Sequence, residues 1–121
     1  MTDVLLIGGA EEAREVFRAL LRLHHFRVKG EASGAKEAKN LLKGGFKGVM
    51  LLDTELSDGD WGDVISKAQG SKPKVPVVLV SPLYGAEFEE KAKRLGACAL
   101  LPRPFEIPEL LAAIDRAMSG E

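Results

Sequence analysis

Short, wholly apolar runs alternate along this chain with longer stretches in which apolar residues recur at helical spacing. Val4–Ile7, Arg27–Val28, Val49–Leu52, Val75–Val80 and Ala99–Leu101 read as strands. Four of them are apolar at consecutive positions, the pattern of a strand covered on both faces. The run at Arg27–Val28 is short and flanked by polar residues, as suits an edge strand. Between the runs lie five amphipathic segments. In Glu11–His24 the residues Val16, Leu20 and Leu23 share a face, with Ala13 and Phe17 beside them. Ala35, Ala38, Leu41 and Leu42 mark a second helix that stops at Gly44-Gly45. Val64, Ile65 and Ala68 mark a third, and Phe88, Ala92 and Leu95 a fourth ending at Gly96. Ile107, Leu110, Leu111, Ile114 and Met118 mark a fifth, with Pro108 in its first turn, where a missing N–H is harmless.

The pattern is (βα)₅, an α/β domain built as a doubly wound five-stranded parallel sheet with right-handed crossovers. The chain has 121 residues, the size of one domain, so residues 1–121 are expected to form a single unit. A hydrophobic content of 45% supports a buried core. With 17 basic and 18 acidic residues, no charge excess points to direct nucleic-acid binding. No apolar run is long enough to cross a membrane, and the N-terminus lacks the pattern of a signal peptide. One cysteine, Cys98, is expected to be a small core residue with no internal disulfide partner. These features together lead to the expectation of a cytoplasmic protein.

In doubly wound sheets ligands gather at the carboxyl ends of the strands. That directs attention to Gly8-Gly9, Glu31, Asp53, Ser81 and Pro102-Arg103-Pro104. Asp53 directly follows Val49-Met50-Leu51-Leu52, so its carboxylate is expected at a solvent-reachable strand mouth on a rigid backbone. From position alone it suits a nucleophile, a metal ligand or a cap for the following turn. Ser81 ends the fourth strand, where its hydroxyl suits either a bound oxyanion or a turn before Pro82. Arg103 sits between two prolines after the fifth strand. A cis bond before Pro104 would aim its neighbour over the sheet mouth.

Leu-Leu-Asp53, Val-Ser81 and Arg103-Pro104-Phe105, in that order at three strand ends, resemble the receiver domain of two-component response regulators. Glu31-Ala32-Ser33-Gly34, Gly96-Ala97 and Pro108-Glu109-Leu110-Leu111 fit the same pattern. The resemblance spans essentially the whole chain and implies the flavodoxin-like strand order 2-1-3-4-5. It also implies that Asp53 stands where the family carries its phospho-acceptor. Ser81 stands where a hydroxyl, and Arg103 where a lysine, holds the phosphoryl oxygens. Family members hold Mg²⁺ with that aspartate, a backbone carbonyl two residues later (here of Glu55) and two acidic residues after strand one. Such domains are signalling proteins, not turnover enzymes.

The chain departs from the pattern in the places that matter most for phosphorylation. Gly8 and Gly9 replace the acidic pair, so no Mg²⁺ cofactor is expected unless Glu11, Glu12 or Glu55 supplies a substitute carboxylate. Arg103 keeps the lysine's charge but has a planar fork suited to pairing with Asp53. Leu100 stands at the aromatic switch position, Ser57 where a proline is expected, and Trp61 where a glycine is expected; Trp61 suits packing under its loop more than an aromatic anchor for a partner. Two signalling readings follow: a phosphorylatable receiver with altered kinetics, or a phosphorylation-independent receiver-like module that binds protein. A nucleotide-binding reading of Gly8-Gly9-Ala10 with Glu31 is disfavoured by Ala10 at its third glycine position. A milder version leaves room for a small anion at Gly8 and Gly9, on the N-terminus of the first helix. The expected partner is a histidine kinase or another signalling protein, met through the fourth helix, fifth strand and fifth helix, or through the first helix. Tyr84 and Phe88 suit either core or interface, which leaves a homodimer open. His24-His25 and the basic stretch Lys36, Lys39, Lys43 and Lys47 read as solvated surface.

Overall fold

Consecutive apolar positions need cover on both sides, and the chain provides it. The computed structural model describes residues 1–83 and 85–119. Strands β1 (Asp3–Ile7), β2 (Arg27–Ala32), β3 (Val49–Asp53), β4 (Val77–Ser81) and β5 (Ala99–Pro102) alternate with helices. These are α1 (Glu11–Leu23), α2 (Ala35–Leu42), α3 (Trp61–Gln69), α4 (Ala86–Leu95) and α5 (Ile107–Met118). All strand pairs are parallel, in the order β2-β1-β3-β4-β5.

Side chains alternate across the sheet, so the central strands feed two cores. Leu5, Ile7, Met50, Leu52, Val77 and Leu79 point to one side and meet Ala38, Leu42, Val64, Ile65, Ala68 and Ala92 of α2, α3 and α4. Val4, Leu6, Val49, Leu51, Val78 and Val80 point to the other and meet Phe17, Leu21, Leu110 and Ile114 of α1 and α5. Every residue of β3 and β4 is buried. At about 1.5–3 kcal/mol for each fully buried large aliphatic side chain, these two layers dominate the fold's stability.

Several expected details shift. β2 runs to Ala32 rather than stopping at Val28, because pairing to β1 continues through Gly30 and Glu31 after a register irregularity at Val4/Leu5. β4 starts at Val77; Val75 is buried but lies before the strand, its N–H donating to Ala68. On α1 the buried stripe is Phe17 and Leu21. Val16 and Leu23, expected inside, are 59% and 69% exposed. On α5, Ile107 and Met118 are exposed, and Ala113 and Ala117 fill the core-facing positions beside Leu110 and Ile114. Cys98 is half-buried and packs at the edge of the second core. Trp61 packs as expected, its ring 5.5 Å from that of Phe88 and beneath the Lys91 ammonium. Phe88 is half-buried against the first core, whereas Tyr84 lies outside the described residues. No helix among the described residues is long and apolar enough to cross a membrane.

Candidate functional site at the strand mouths

The parallel sheet brings the ends of β1, β3, β4 and the turn after β5 together, and with them Gly8-Gly9, Asp53, Ser81 and Arg103. Asp53 is the last residue of β3. Its Oδ1 accepts the Glu55 N–H at 2.8 Å, while its Oδ2 is in direct ion-pair contact with the Arg103 guanidinium. The bond between Arg103 and Pro104 is cis. The Arg103 N–H donates to the Ser81 carbonyl at 3.0 Å, which fixes its backbone to the end of β4. The Asp53 side chain is only 6% exposed, against 32% for Arg103. Asp53 was expected to be open to solvent; the guanidinium covers it instead. Burial pulls Arg103 below the ordinary guanidinium value, from a starting point so high that it stays protonated.

Ser81 is buried, and its hydroxyl is engaged by other groups. Its Oγ accepts the Leu83 N–H at 2.9 Å and the Thr54 hydroxyl at 3.1 Å. Thr54 is thus a member of the site that sequence reasoning missed, although its place directly after Asp53 was the available signal. Leu100 is half-buried on β5. It borders a hollow of about 230 Å³ with Leu79, Leu83 and Phe88, between β4, β5 and α4.

Gly8 and Gly9 do more than omit two carboxylates. Both have positive φ, +81° and +78°, where L side chains are strained. A Cβ on Gly8 would lie 2.9 Å from the carbonyl oxygens of Asp53 and Glu55, so the two strand-end loops touch through main chain. The Gly9 N–H donates to the Glu55 carbonyl at 2.7 Å, the carbonyl that the family resemblance places on the metal. Arg14 of α1, a second residue not singled out from sequence, donates to the Gly9 carbonyl at 2.7 Å. It also binds Glu11 at 2.8 Å. Glu31 accepts a bidentate pair from Arg18, at 2.6 and 2.9 Å, and lies 3.6 Å from Arg14. The Arg18 hydrogen bonds hold its carboxyl below the usual carboxylate range.

Mg²⁺ needs near-octahedral oxygen ligation, normally anchored by carboxylates. The donor set here does not fit. One Asp53 oxygen faces a guanidinium, the Glu55 carbonyl already accepts from the Gly9 N–H, and Glu11 is paired with Arg14. Among the described residues no three His, Cys, Asp or Glu side chains gather as a metal site.

Fold and site together define a receiver-type signalling module. The response regulator receiver domain model matches residues 4–115, and the chain belongs to that family. The transcriptional regulatory protein PdtaR of Mycobacterium tuberculosis is 30% identical over 83% of this chain and 48% of its own length. The chain therefore spans about half the length of that relative. Among solved structures, the non-phosphorylated HemR receiver domain from Leptospira biflexa is 26% identical, with a TM-score of 0.85 over 98% of this chain and 95% of its own. The signal receiver domain of a putative response regulator NarL from Mycobacterium tuberculosis superposes with a TM-score of 0.89 over 99% of this chain and 98% of that one. At 23% identity it speaks for the fold alone.

Proposed function

We propose that this domain is a phosphorylation-independent receiver. In it the Arg103 guanidinium stands permanently against Asp53, in the place where relatives recruit a metal and then a phosphoryl group. The observation that carries the reading is the Asp53–Arg103 ion pair, covered and fixed from β4. Its neighbours support it. Gly8-Gly9 presents main chain where an acidic pair would stand, and the Glu55 carbonyl is already hydrogen-bonded. Attack by Asp53 on a phosphodonor would require its carboxylate to leave Arg103. It would then have to meet an anionic phosphoryl group with no divalent cation to offset the developing charge. With Leu100 at the switch position, the domain has no aromatic ring there to relay a change at Ser81.

Output then rests on protein contacts, through the α4–β5–α5 face or α1, with a histidine kinase, another signalling protein or a second copy as partner. The domain acts in the cytoplasm and turns over no substrate. The second reading, a phosphorylatable receiver with altered kinetics, is favoured by the convergence of Asp53, Ser81 and Arg103 at one mouth. Intact-mass measurement after incubation with a small phosphodonor, with and without Mg²⁺, separates the two. An unchanged mass in both conditions is expected. A phosphoryl increment that disappears in Asp53→Ala would establish the second reading.

A further inference from the structure

The charged side chains of this protein divide into two populations. Arg14, Arg18, Arg27, Arg94 and Arg103 each face a carboxylate within ion-pair distance. The lysines do not. Lys36, Lys39 and Lys43 follow one another at three- and four-residue spacing around α2, so they share one face of the helix. Together with Lys67 of α3 they line an open groove of about 910 Å³ between the two helices, whose other walls include Asn40 and Ser66. The basic surface continues past the groove's lower end. Lys47 lies in the loop after α2 and Lys72 and Lys74 in the loop after α3; the two loops meet where Gly45 approaches the Lys72 carbonyl. Among the described residues none of these seven lysines is in an ion pair. The two carboxylates in the groove wall, Asp58 and Asp63, stand at its upper end, where Asp58 accepts the Lys36 N–H at the start of α2.

Like charges stacked along a helix at this spacing repel one another and weaken the helix. Among the described residues no acidic side chain is within ion-pair distance of these lysines to offset that cost, even though the chain carries 18 acidic residues against 17 basic. We propose that the α2–α3 groove is a docking surface for an acidic polypeptide segment, rich in Asp or Glu, of a partner protein. The chemistry favours that occupant over a phosphate polymer. The surface contains no arginine fork to grip phosphate bidentately and no exposed aromatic ring on which bases would stack. Flexible ammonium groups tolerate irregularly spaced carboxylates, and Asn40 and Ser66 add polar side chains that can meet a peptide backbone. The lower end lies at the amino edge of the sheet, opposite Asp53. The surface therefore needs no phosphorylation event to be presented.

The test is fluorescence anisotropy of a short labelled Glu-rich peptide titrated with the folded full chain at low and physiological ionic strength. Single-stranded DNA of equal charge and vesicles containing anionic lipid serve as parallel probes. Saturable peptide binding is expected, weakened by salt and reduced about tenfold or more in Lys39→Glu/Lys43→Glu/Lys67→Glu. The milder Lys39→Gln/Lys43→Gln/Lys67→Gln should weaken it in the same direction. Lys29→Glu/Lys93→Glu, on β2 and α4, should leave it unchanged. Circular dichroism melts of each variant establish that the fold persists. Three results would overturn the proposal: absence of peptide binding at low salt, equal loss in the control variant, or tighter lysine-dependent binding of DNA or vesicles than of peptide.

Discussion

Removing Arg103 is expected to destabilise the domain more than removing Asp53, because the two members of the pair are unequally buried. In Arg103→Ala the Asp53 carboxylate, only 6% exposed in the native protein, loses its counter-charge and keeps a single hydrogen bond, from the Glu55 N–H. Breaking a fully buried pair in this way costs about 3–5 kcal/mol. Arg103 is a third exposed, so water screens part of the interaction, and about 2–4 kcal/mol is the figure to expect. In Asp53→Ala the orphaned group is the guanidinium, which can turn towards solvent, and the cost falls to about 1–2 kcal/mol. The double variant strands neither charge and should recover about 1–3 kcal/mol relative to the sum of the singles.

Urea unfolding at neutral pH, followed by circular dichroism and extrapolated linearly, measures all four proteins. With a denaturant dependence of about 1–3 kcal/mol per molar for a domain of this size, Arg103→Ala should lower the midpoint by about 1–2 M. Two single variants that each cost under about 0.5 kcal/mol and simply add would refute the reasoning. They would mean that the contact is an exposed surface pair with little energetic content. The reverse order, Asp53→Ala costing more than Arg103→Ala, would show that the guanidinium rather than the carboxylate is the trapped group.

Glu31 should contribute a pH-dependent part of the stability. Its carboxyl is held below the ordinary value of 4.5 by Arg18, so its contribution is complete above that value and disappears as pH falls through the lower folded-state value. Thermal melts from neutral pH to pH 3 should therefore fall less steeply in Glu31→Gln than in the native protein. In Gly9→Asp the new Cβ would stand 3.1 Å from Asp53 Oδ2 on a backbone of φ +78°. Strain of about 1–3 kcal/mol should lower the melting temperature. Added Mg²⁺ should leave the melting temperatures of both Gly9→Asp and the native protein unmoved, since Arg103 still covers Asp53; a rise in either would count against the altered-centre reading. Gly96→Ala places a methyl group 2.7 Å from Gln69 Cγ at φ +112° and should cost about 1–3 kcal/mol in the same urea assay.

The parallel sheet was legible because β1, β3 and β4 are apolar at consecutive positions, and only cover on both faces accounts for that; the strand order came from the family resemblance instead. The face of α1 was less so. Its 13 residues carry two apolar stripes, one through Val16 and Leu23 and one through Phe17 and Leu21. Periodicity alone does not decide which turns inward; the choice belongs to the sheet surface, where Phe17 also stacks on Phe105 at 5.4 Å. β2 was underestimated for a related reason. An edge strand needs little apolar content once β1 supplies its hydrogen bonds, and Lys29, Gly30 and Glu31 conceal it. Asp53, Ser81 and Arg103 could be found because each stands at the carboxyl end of a strand or directly after one. Arg14 could not, since its role is to donate to a main-chain carbonyl, and carbonyls leave no mark in sequence.

The two departures at the site are physically one. An acidic pair beside Asp53 would concentrate negative charge that only a multivalent cation could offset. A buried arginine placed among three carboxylates would leave that charge largely unbalanced. With Gly8 and Gly9 in place, a single carboxylate remains, and one fixed guanidinium neutralises it. The glycines also let the β1 and β3 loops close until the Gly9 N–H donates to the Glu55 carbonyl, the oxygen that the family resemblance places on the metal. Arg103 therefore suits this mouth only because the carboxylates have gone. Restoring Gly9→Asp alone crowds Asp53 Oδ2, and replacing Arg103 alone leaves Asp53 buried without a counter-charge. On the proposed reading, metal binding would require changes on both sides of the mouth, together with a reopening of the backbone contact between them.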